Sequence, residues 1–241
     1  MNGGEISYNQ CFRVDGFGGQ GGGFYVTDGI VEVKGGSIQN NIAQLNGGGF
    51  FVNVSNSNVE TKINSSVAVT TISNNTATTG SGGGVYVSNG KVTIDNAILS
   101  GNKAENGNAG GICVNSTSET NVIDIKNGTK INGSNKAKNG AGVYVAKGAV
   151  TIEGVTTQIS GNQATTNGGG LCSMDGTITI KDGATIGGNS AVSGGGIYAS
   201  SDINFTSGTI ANNTATSWPS SRSTARKAPS ACRAWLAASM C

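Results

Sequence analysis

The chain has 241 residues, of which 41 are glycine, 2 are proline and none is histidine. Glycine at about one residue in six, with so little proline, excludes collagen and proline-rich linkers and favours a repeated β-structure with many tight turns. A sequence without histidine has no imidazole base, no serine-histidine-aspartate triad and no histidine-ligated zinc site. Apolar runs stay well below about 18 residues, so the sequence predicts no transmembrane helix.

A glycine-rich motif that leads into a short apolar segment recurs seven times. The copies begin at Gly21, Gly47, Gly82, Ala109, Gly140, Gly168 and Gly194. Each copy is followed by an alternating segment such as Val92-Thr93-Ile94 or Ile178-Thr179-Ile180, which is typical of a strand with one buried face. Because the glycines lead into a strand and not into a helix, we interpret them as corner residues and not as a phosphate-binding loop.

The second recurring motif is an asparagine followed two residues later by alanine, except in the first copy, where Cys11 takes the alanine place. The eight asparagines are Asn9, Asn41, Asn75, Asn102, Asn135, Asn162, Asn189 and Asn213. A unit of about 27 residues with three short strands and glycine-rich corners predicts one coil of a parallel β-helix. We therefore predict an all-β, single-stranded, right-handed parallel β-helix of about seven to eight coils over residues 1–217. In it the asparagines would form a structural ladder at an inner corner.

Stacked coils lie about 4.8 Å apart, so equivalent residues should form columns along the solenoid. The column predicted to face inward is Phe24, Phe50, Val85, Ile112, Val143, Leu171 and Ile197. The following residue of each copy should face outward. This gives a candidate binding stripe of Tyr25, Phe51, Tyr86, Tyr144 and Tyr198, interrupted at Cys113 and Cys172. The alternative, that these aromatic residues only stack on one another and stabilise neighbouring coils, stays open. Since the Tyr144 coil separates the two cysteines, we predict that both are free.

Together the two motifs resemble the paired repeats of the polymorphic outer-membrane proteins and of related β-helical surface proteins of gut bacteria and spirochaetes. The second motif stands as Ile72-Ser73-Asn74-Asn75-Thr76-Ala77 and as Ile159-Ser160-Gly161-Asn162-Gln163-Ala164. The first position, usually phenylalanine in that family, is isoleucine here, or is shifted by one residue as at Ile98 and Ile131. The resemblance covers residues 1–217. It implies a secreted right-handed β-helix, often an autotransporter passenger involved in adhesion, without catalytic residues.

The two ends of the chain differ from a complete repeat unit in different ways. Residues 1–9 match the middle of a unit and not its beginning, so we expect further repeat sequence and an export signal upstream. Residues 218–241 contain four basic residues and no acid, so this tail carries +4 and the rest of the chain −2. We interpret the tail as a frameshift artefact or a disordered extension; the alternative is a genuine basic tail that contacts nucleic acid or a partner. Exposed strand edges at both ends of the solenoid predict end-to-end self-association.

These features predict a non-catalytic, surface-exposed β-helical passenger or stalk with a structural or adhesive role, at the cell surface, in the outer membrane or secreted. Its partner would be a host-cell protein or a glycan and not a nucleic acid, since the positive charge resides in the tail. We predict no catalytic, cofactor-binding or metal-binding residues. The alternative is a polysaccharide-degrading β-helix enzyme, of the pectate lyase or glycosidase kind. A glycosidase needs two carboxylates about 5 to 10 Å apart, whereas the acids of this sequence are singly scattered.

Overall fold

The architecture is that of a β-solenoid, as seen in a computed structural model that describes residues 1–56, 58–64, 68–116 and 122–216. The chain winds through about seven turns, and the described strands pair in parallel except in one hairpin of the first coil. This confirms the predicted all-β parallel β-helix. No helix in the described part of the chain is long and apolar enough to cross a membrane. The tail, residues 218–241, lies outside the described residues.

A coil contributes four short strands where the two segments after the glycines are separate, and the predicted three where these segments run together. The strand after the glycines and the alternating segment are separate elements in most coils, as in Val85–Asn89 and Lys91–Asp95, with Gly90 between them. A positive φ of 105° at Gly90 turns the chain there, which glycine adopts without a steric penalty. In two later coils the same two segments run together as the single strands Val143–Glu153 and Leu171–Lys181.

The strands stack into four ladders, named here in the order in which a coil meets them. The first ladder consists of Glu5–Ser7, Gly36–Gln39, Thr70–Ser73, Ala97–Ser100, Lys130–Asn132, Gln158–Ser160, Thr185–Gly187 and Thr209–Ala211. The second consists of Gln10–Cys11, Ile42–Ala43, Thr76–Ala77, Lys103–Asn108, Lys136–Asn139, Gln163–Asn167, Ser190–Ala191 and Thr214–Ala215.

The third and fourth ladders belong to one sheet, because the two long strands take part in both. The third consists of Phe24–Val26, Phe50–Asn53, Val85–Asn89, Ile112–Asn115, Val143–Glu153, Leu171–Lys181 and Ile197–Ala199. The fourth consists of Glu32–Val33, Glu60–Asn64, Lys91–Asp95, Val122–Lys126, the same two long strands and Ile203–Phe205. The hairpin of the first coil pairs Arg13–Val14 with Phe17–Gly18.

The core is built from inward columns of the first, third and fourth ladders. In the third ladder the strand register pairs each member of the predicted inward column with the next, from Phe24 to Ile197. Its middle members are fully buried, and the Phe24 and Phe50 rings stack with their centroids 4.5 Å apart. Burial of one large apolar side chain contributes about 1.5–3 kcal/mol, so every coil adds to the stability of its neighbours.

The first ladder corrects one detail of the predicted motif. Leu99 pairs with Ile72 on one side and with Ile131 on the other, and all three are buried. Leu99 therefore occupies the first motif position, and the predicted shift at Ile98 is wrong. The shift at Ile131 is real, because Ile131 precedes its ladder asparagine, Asn135, by four residues and not by three. The residue just before Asn135, Ser134, has a positive φ of 63°.

Candidate functional site

The eight asparagines form one continuous series of side-chain hydrogen bonds. In every step from Asn9 to Asn213, the Nδ2 amide of one asparagine donates to the Oδ1 of the asparagine in the next coil, at 2.8–3.1 Å. From the second rung onward, Nδ2 also donates to a main-chain carbonyl of the preceding coil, for example from Asn75 to the Ile38 oxygen at 3.0 Å. The amides thus satisfy main-chain groups at the corner that would otherwise be buried without a partner.

The corner just before each asparagine needs a left-handed backbone conformation. The residues that adopt it, with φ between 55° and 66°, are Tyr8, Asn40, Asn74, Gly101, Ser134, Gly161, Gly188 and Asn212. Glycine and asparagine tolerate this region better than other residues. This preference explains why Gly-Asn and Asn-Asn recur at the end of each unit.

In every cluster but that of Gly111, the third glycine packs directly against an asparagine of the ladder. A Cβ added at Gly49 would meet the Asn75 Nδ2 atom at 3.2 Å, and one at Gly84 would meet the Asn102 Nδ2 at the same distance. The second glycine is constrained by backbone, since a Cβ at Gly48 would lie 2.4 Å from a carbonyl oxygen of the next coil. The two sequence motifs therefore form a single structural unit.

Three residues of the predicted aromatic stripe, Tyr25, Phe51 and Tyr86, form a stacked column, so the stripe is not a continuous exposed surface. Phe51 is only 4% exposed, because its ring stacks between Tyr25, at 5.0 Å, and Tyr86, at 5.4 Å. Tyr25 is 53% exposed at the end of the stack, whereas Tyr144 and Tyr198 are half-buried. The stripe therefore offers tyrosine edges and hydroxyl groups. One of these, the Tyr86 hydroxyl, accepts a hydrogen bond from Asn115 at 3.2 Å.

The two cysteines of this column point away from the apolar core, yet both are buried. The glycine corners cover the column, since a Cβ at Gly168 would approach the Cys172 Cβ to 2.8 Å. Burial raises the pKa of the Cys113 thiol and raises that of Cys172 to about 12. Both thiols are free, as predicted, because Tyr144 stands between them in the register.

A carboxylate-bearing face on the fourth ladder is the feature that the sequence reasoning missed. Its outward column pairs Lys62 with Thr93 and Thr93 with Asp124. The Thr93 hydroxyl donates to the Glu60 carboxylate, which also lies 3.5 Å from the Lys62 ammonium. The available signal was the polar middle residue of each alternating segment, which the strand period places on the outer face.

Two carboxyl groups on this face have different surroundings. Partial burial raises the pKa of Asp124, and the charges of Glu153 and Glu60 act in the same direction, against the ammonium groups of Lys126 and Lys181. The Glu153 carboxylate lies 2.8 Å from the Lys181 ammonium. Since Asp124 pairs with the residue two places before Glu153, the two side chains are diagonal neighbours, about 7–8 Å apart.

No protein-family model, no curated protein and no solved structure matches this chain. The resemblance to the repeats of the polymorphic outer-membrane proteins therefore rests on the sequence motifs. The described residues hold no group of three or more histidine, cysteine, aspartate or glutamate side chains placed to bind a metal ion.

Proposed function

We propose that this chain is a surface-exposed β-helical passenger or stalk with a structural or adhesive role and no catalytic activity of its own. The observation that carries the proposal is the asparagine ladder, which links every coil to the next from Asn9 to Asn213. Coils that rise about 4.8 Å each make a rod of about 35 Å over seven turns. Such a rod suits a stalk, because it holds side chains at fixed spacings along its length.

The proposed location is the cell surface, in the outer membrane or as a secreted passenger, and the proposed partner is a host-cell protein or a glycan. The resemblance of the repeats to polymorphic outer-membrane proteins supports this location. The tyrosine edges of the stacked column support a partner that takes up both apolar contact and hydrogen bonds, since tyrosine provides both.

Adhesion of coated beads tests the adhesive role. Beads that carry the folded chain should bind host cells more strongly than beads that carry albumin, and equal binding would refute the role. The double substitution Tyr86→Ser and Tyr144→Ser then tests the stripe, with Tyr8→Ser, an exposed tyrosine outside the column, as the matched control. Loss of adhesion with an unchanged melting temperature supports binding by the stripe. A lower melting temperature with adhesion retained assigns the column to stacking alone.

A second candidate is a polysaccharide-degrading enzyme, and the pair formed by Asp124 and Glu153 is the observation that favours it. A partly buried carboxyl group whose pKa is raised can act as a general acid, and glycosidases require a second carboxyl group nearby. As diagonal neighbours on one face, the two carboxyl groups can lie within the separation of about 5–10 Å that glycosidases use. Sugar release from a panel of acidic and neutral polysaccharides tests it. Asp95→Asn, on the same face, is the control. If sugar is released and Asp124→Asn abolishes the release while Asp95→Asn retains it, the chain is an enzyme and the proposal of a non-catalytic stalk is wrong.

A further inference from the structure

Three lysines lie close together on the outward side of the second ladder, near the middle of the solenoid. We call Lys103, Lys136 and Lys138 the lysine face. Lys103 and Lys136 are register partners in adjacent coils, and Lys138 lies two residues further along the same strand as Lys136. All three are exposed, while Ala104 and Ala137 beside them are buried. The backbones of Lys103 and Lys136 are therefore one coil spacing apart, about 4.8 Å, and that of Lys138 lies about 6.6 Å further along the strand, so the three side chains share one surface.

The charges of the lysine face are not neutralised by ion pairs in the described residues. The lysines that form ion pairs there lie elsewhere on the solenoid and are Lys34, Lys62 and Lys181. Like charges directly opposite each other on a sheet are destabilising. The acidic residue of the strand that contains Lys103 is Glu105, two residues after it, and it is also exposed. An anionic ligand would relieve this repulsion.

The surface beside the lysines forms a shallow depression of about 410 Å³. Side chains that can hydrogen-bond surround it, namely those of Glu105, Lys136, Gln163, Thr165 and Ser190. Ala137 and Ala164 of the second ladder also line it. Amide and hydroxyl groups next to ammonium groups are suited to a ligand that carries both hydroxyl and acidic groups.

We propose that the lysine face binds a linear anionic polysaccharide whose sugars carry carboxylate or sulfate groups. The positive charge selects an acidic chain, and the hydroxyl and amide groups of the depression suit sugar hydroxyls. From Thr76 to Thr165, the outward residues of the second ladder include no aromatic residue or arginine in the described structure, and these are the groups on which nucleic-acid bases stack. The proposal names the ligand class of the proposed adhesive function. It rests on that function only for the expectation that the chain encounters such a polysaccharide at a cell surface.

The test measures binding of the full chain to heparin oligosaccharides by calorimetry, and retention on immobilised heparin in a salt gradient. Lys136→Gln with Lys138→Gln should weaken binding by on the order of tenfold and lower the salt needed for elution. The matched control is Lys34→Gln with Lys91→Gln, which removes the same charge on the fourth-ladder side and should leave the affinity within about twofold. Glu105→Gln should strengthen binding by on the order of threefold. The basic tail is common to all variants, so differences between them report on the lysine face.

Several results would overturn the proposal. These are equal losses in the two double variants, no loss in Lys136→Gln with Lys138→Gln, or equally tight binding of neutral dextran. If a single-stranded oligothymidylate displaces bound heparin at a lower concentration than free heparin does, the lysine face is a nucleic-acid surface. Circular dichroism and the melting temperature of each variant confirm that the fold is retained. If the variants change heparin affinity as expected while coated beads fail to adhere to cells, polysaccharide binding by the lysine face is supported and only the adhesive function is refuted.

Discussion

Removing one amide from the middle of the asparagine ladder should cost a large part of the stability of the solenoid. Asn102 is fully buried, and its Nδ2 donates to the Ile72 carbonyl at 2.9 Å and to Asn135 Oδ1 at 3.1 Å. Its Oδ1 accepts from both the main-chain and side-chain nitrogens of Asn75, each at 3.0 Å. In Asn102→Ala the Asn75 Nδ2 keeps its bond to the Ile38 carbonyl, whereas the Asn75 main-chain N–H and the Ile72 carbonyl lose these partners. Each such buried group costs about 1–3 kcal/mol, so the expected loss is about 2–6 kcal/mol.

The matched control is Asn9→Ala, at the exposed first rung. Asn9 only donates within the ladder, and water can replace the partner that it loses, so this change should cost less than about 1 kcal/mol. Urea unfolding followed by far-ultraviolet circular dichroism measures both. If Asn102→Ala costs no more than Asn9→Ala, the ladder contributes no more than any surface hydrogen bond, and the structural basis of the proposed rod is wrong.

Asn102→Asp adds a test of geometry. The carboxyl group keeps the acceptor oxygen but loses both donors, and it would face the Ile72 and Asn135 oxygens. Its folded-state pKa should therefore rise above the ordinary value of about 3.9. Since the proton is held more tightly in the folded state, the free energy of unfolding should be highest below about pH 4 and fall as the pH rises from there towards the folded-state pKa, a dependence that Asn102→Ala lacks. A variant whose stability does not depend on pH in this range would contradict the hydrogen-bond directions in the ladder.

The remaining predictions concern Thr61, Ala109 and the cysteines. Thr61→Val should stabilise the chain by about 1 kcal/mol in urea unfolding, because the buried Thr61 hydroxyl has no hydrogen-bond partner among the residues that the structure describes; a loss of stability would contradict this. Ala109→Gly should raise the melting temperature, since Ala109 holds a φ of 57° that costs alanine about 1 kcal/mol, and a lower melting temperature would refute the strain. A thiol reagent should label Cys11 in the folded chain and label Cys113 and Cys172 only after unfolding. Because burial raises the pKa of both buried thiols, their contribution to stability should be present below about pH 8.5 and decline above it, and replacing both with alanine should remove this decline.

The sequence by itself determined the repeat, the parallel stacking and the direction in which most strand side chains point, although it placed Ile98 where Leu99 lies. The alternation of Val92, Thr93 and Ile94 is enough to place the outer residues of the triplet inward, because successive side chains of a strand point to opposite faces. The column from Phe24 to Ile197 follows from aligning the copies, and the strand register matches that alignment. These features are local, so a single sequence contains them.

Only the tertiary structure decided which outward residues are covered and which motifs touch. Phe51 points away from the core as its strand position requires, yet rings from the coils on either side bury it. The requirement for glycine at position 49 arises from the next coil, because a Cβ there would stand 2.6 Å from the Gly84 carbonyl oxygen and 3.2 Å from the Asn75 amide. The lysine face likewise exists because the register brings Lys103 beside Lys136. Periodicity within one strand fixes the direction of a side chain, whereas its burial and its neighbours depend on coils that are distant in the sequence.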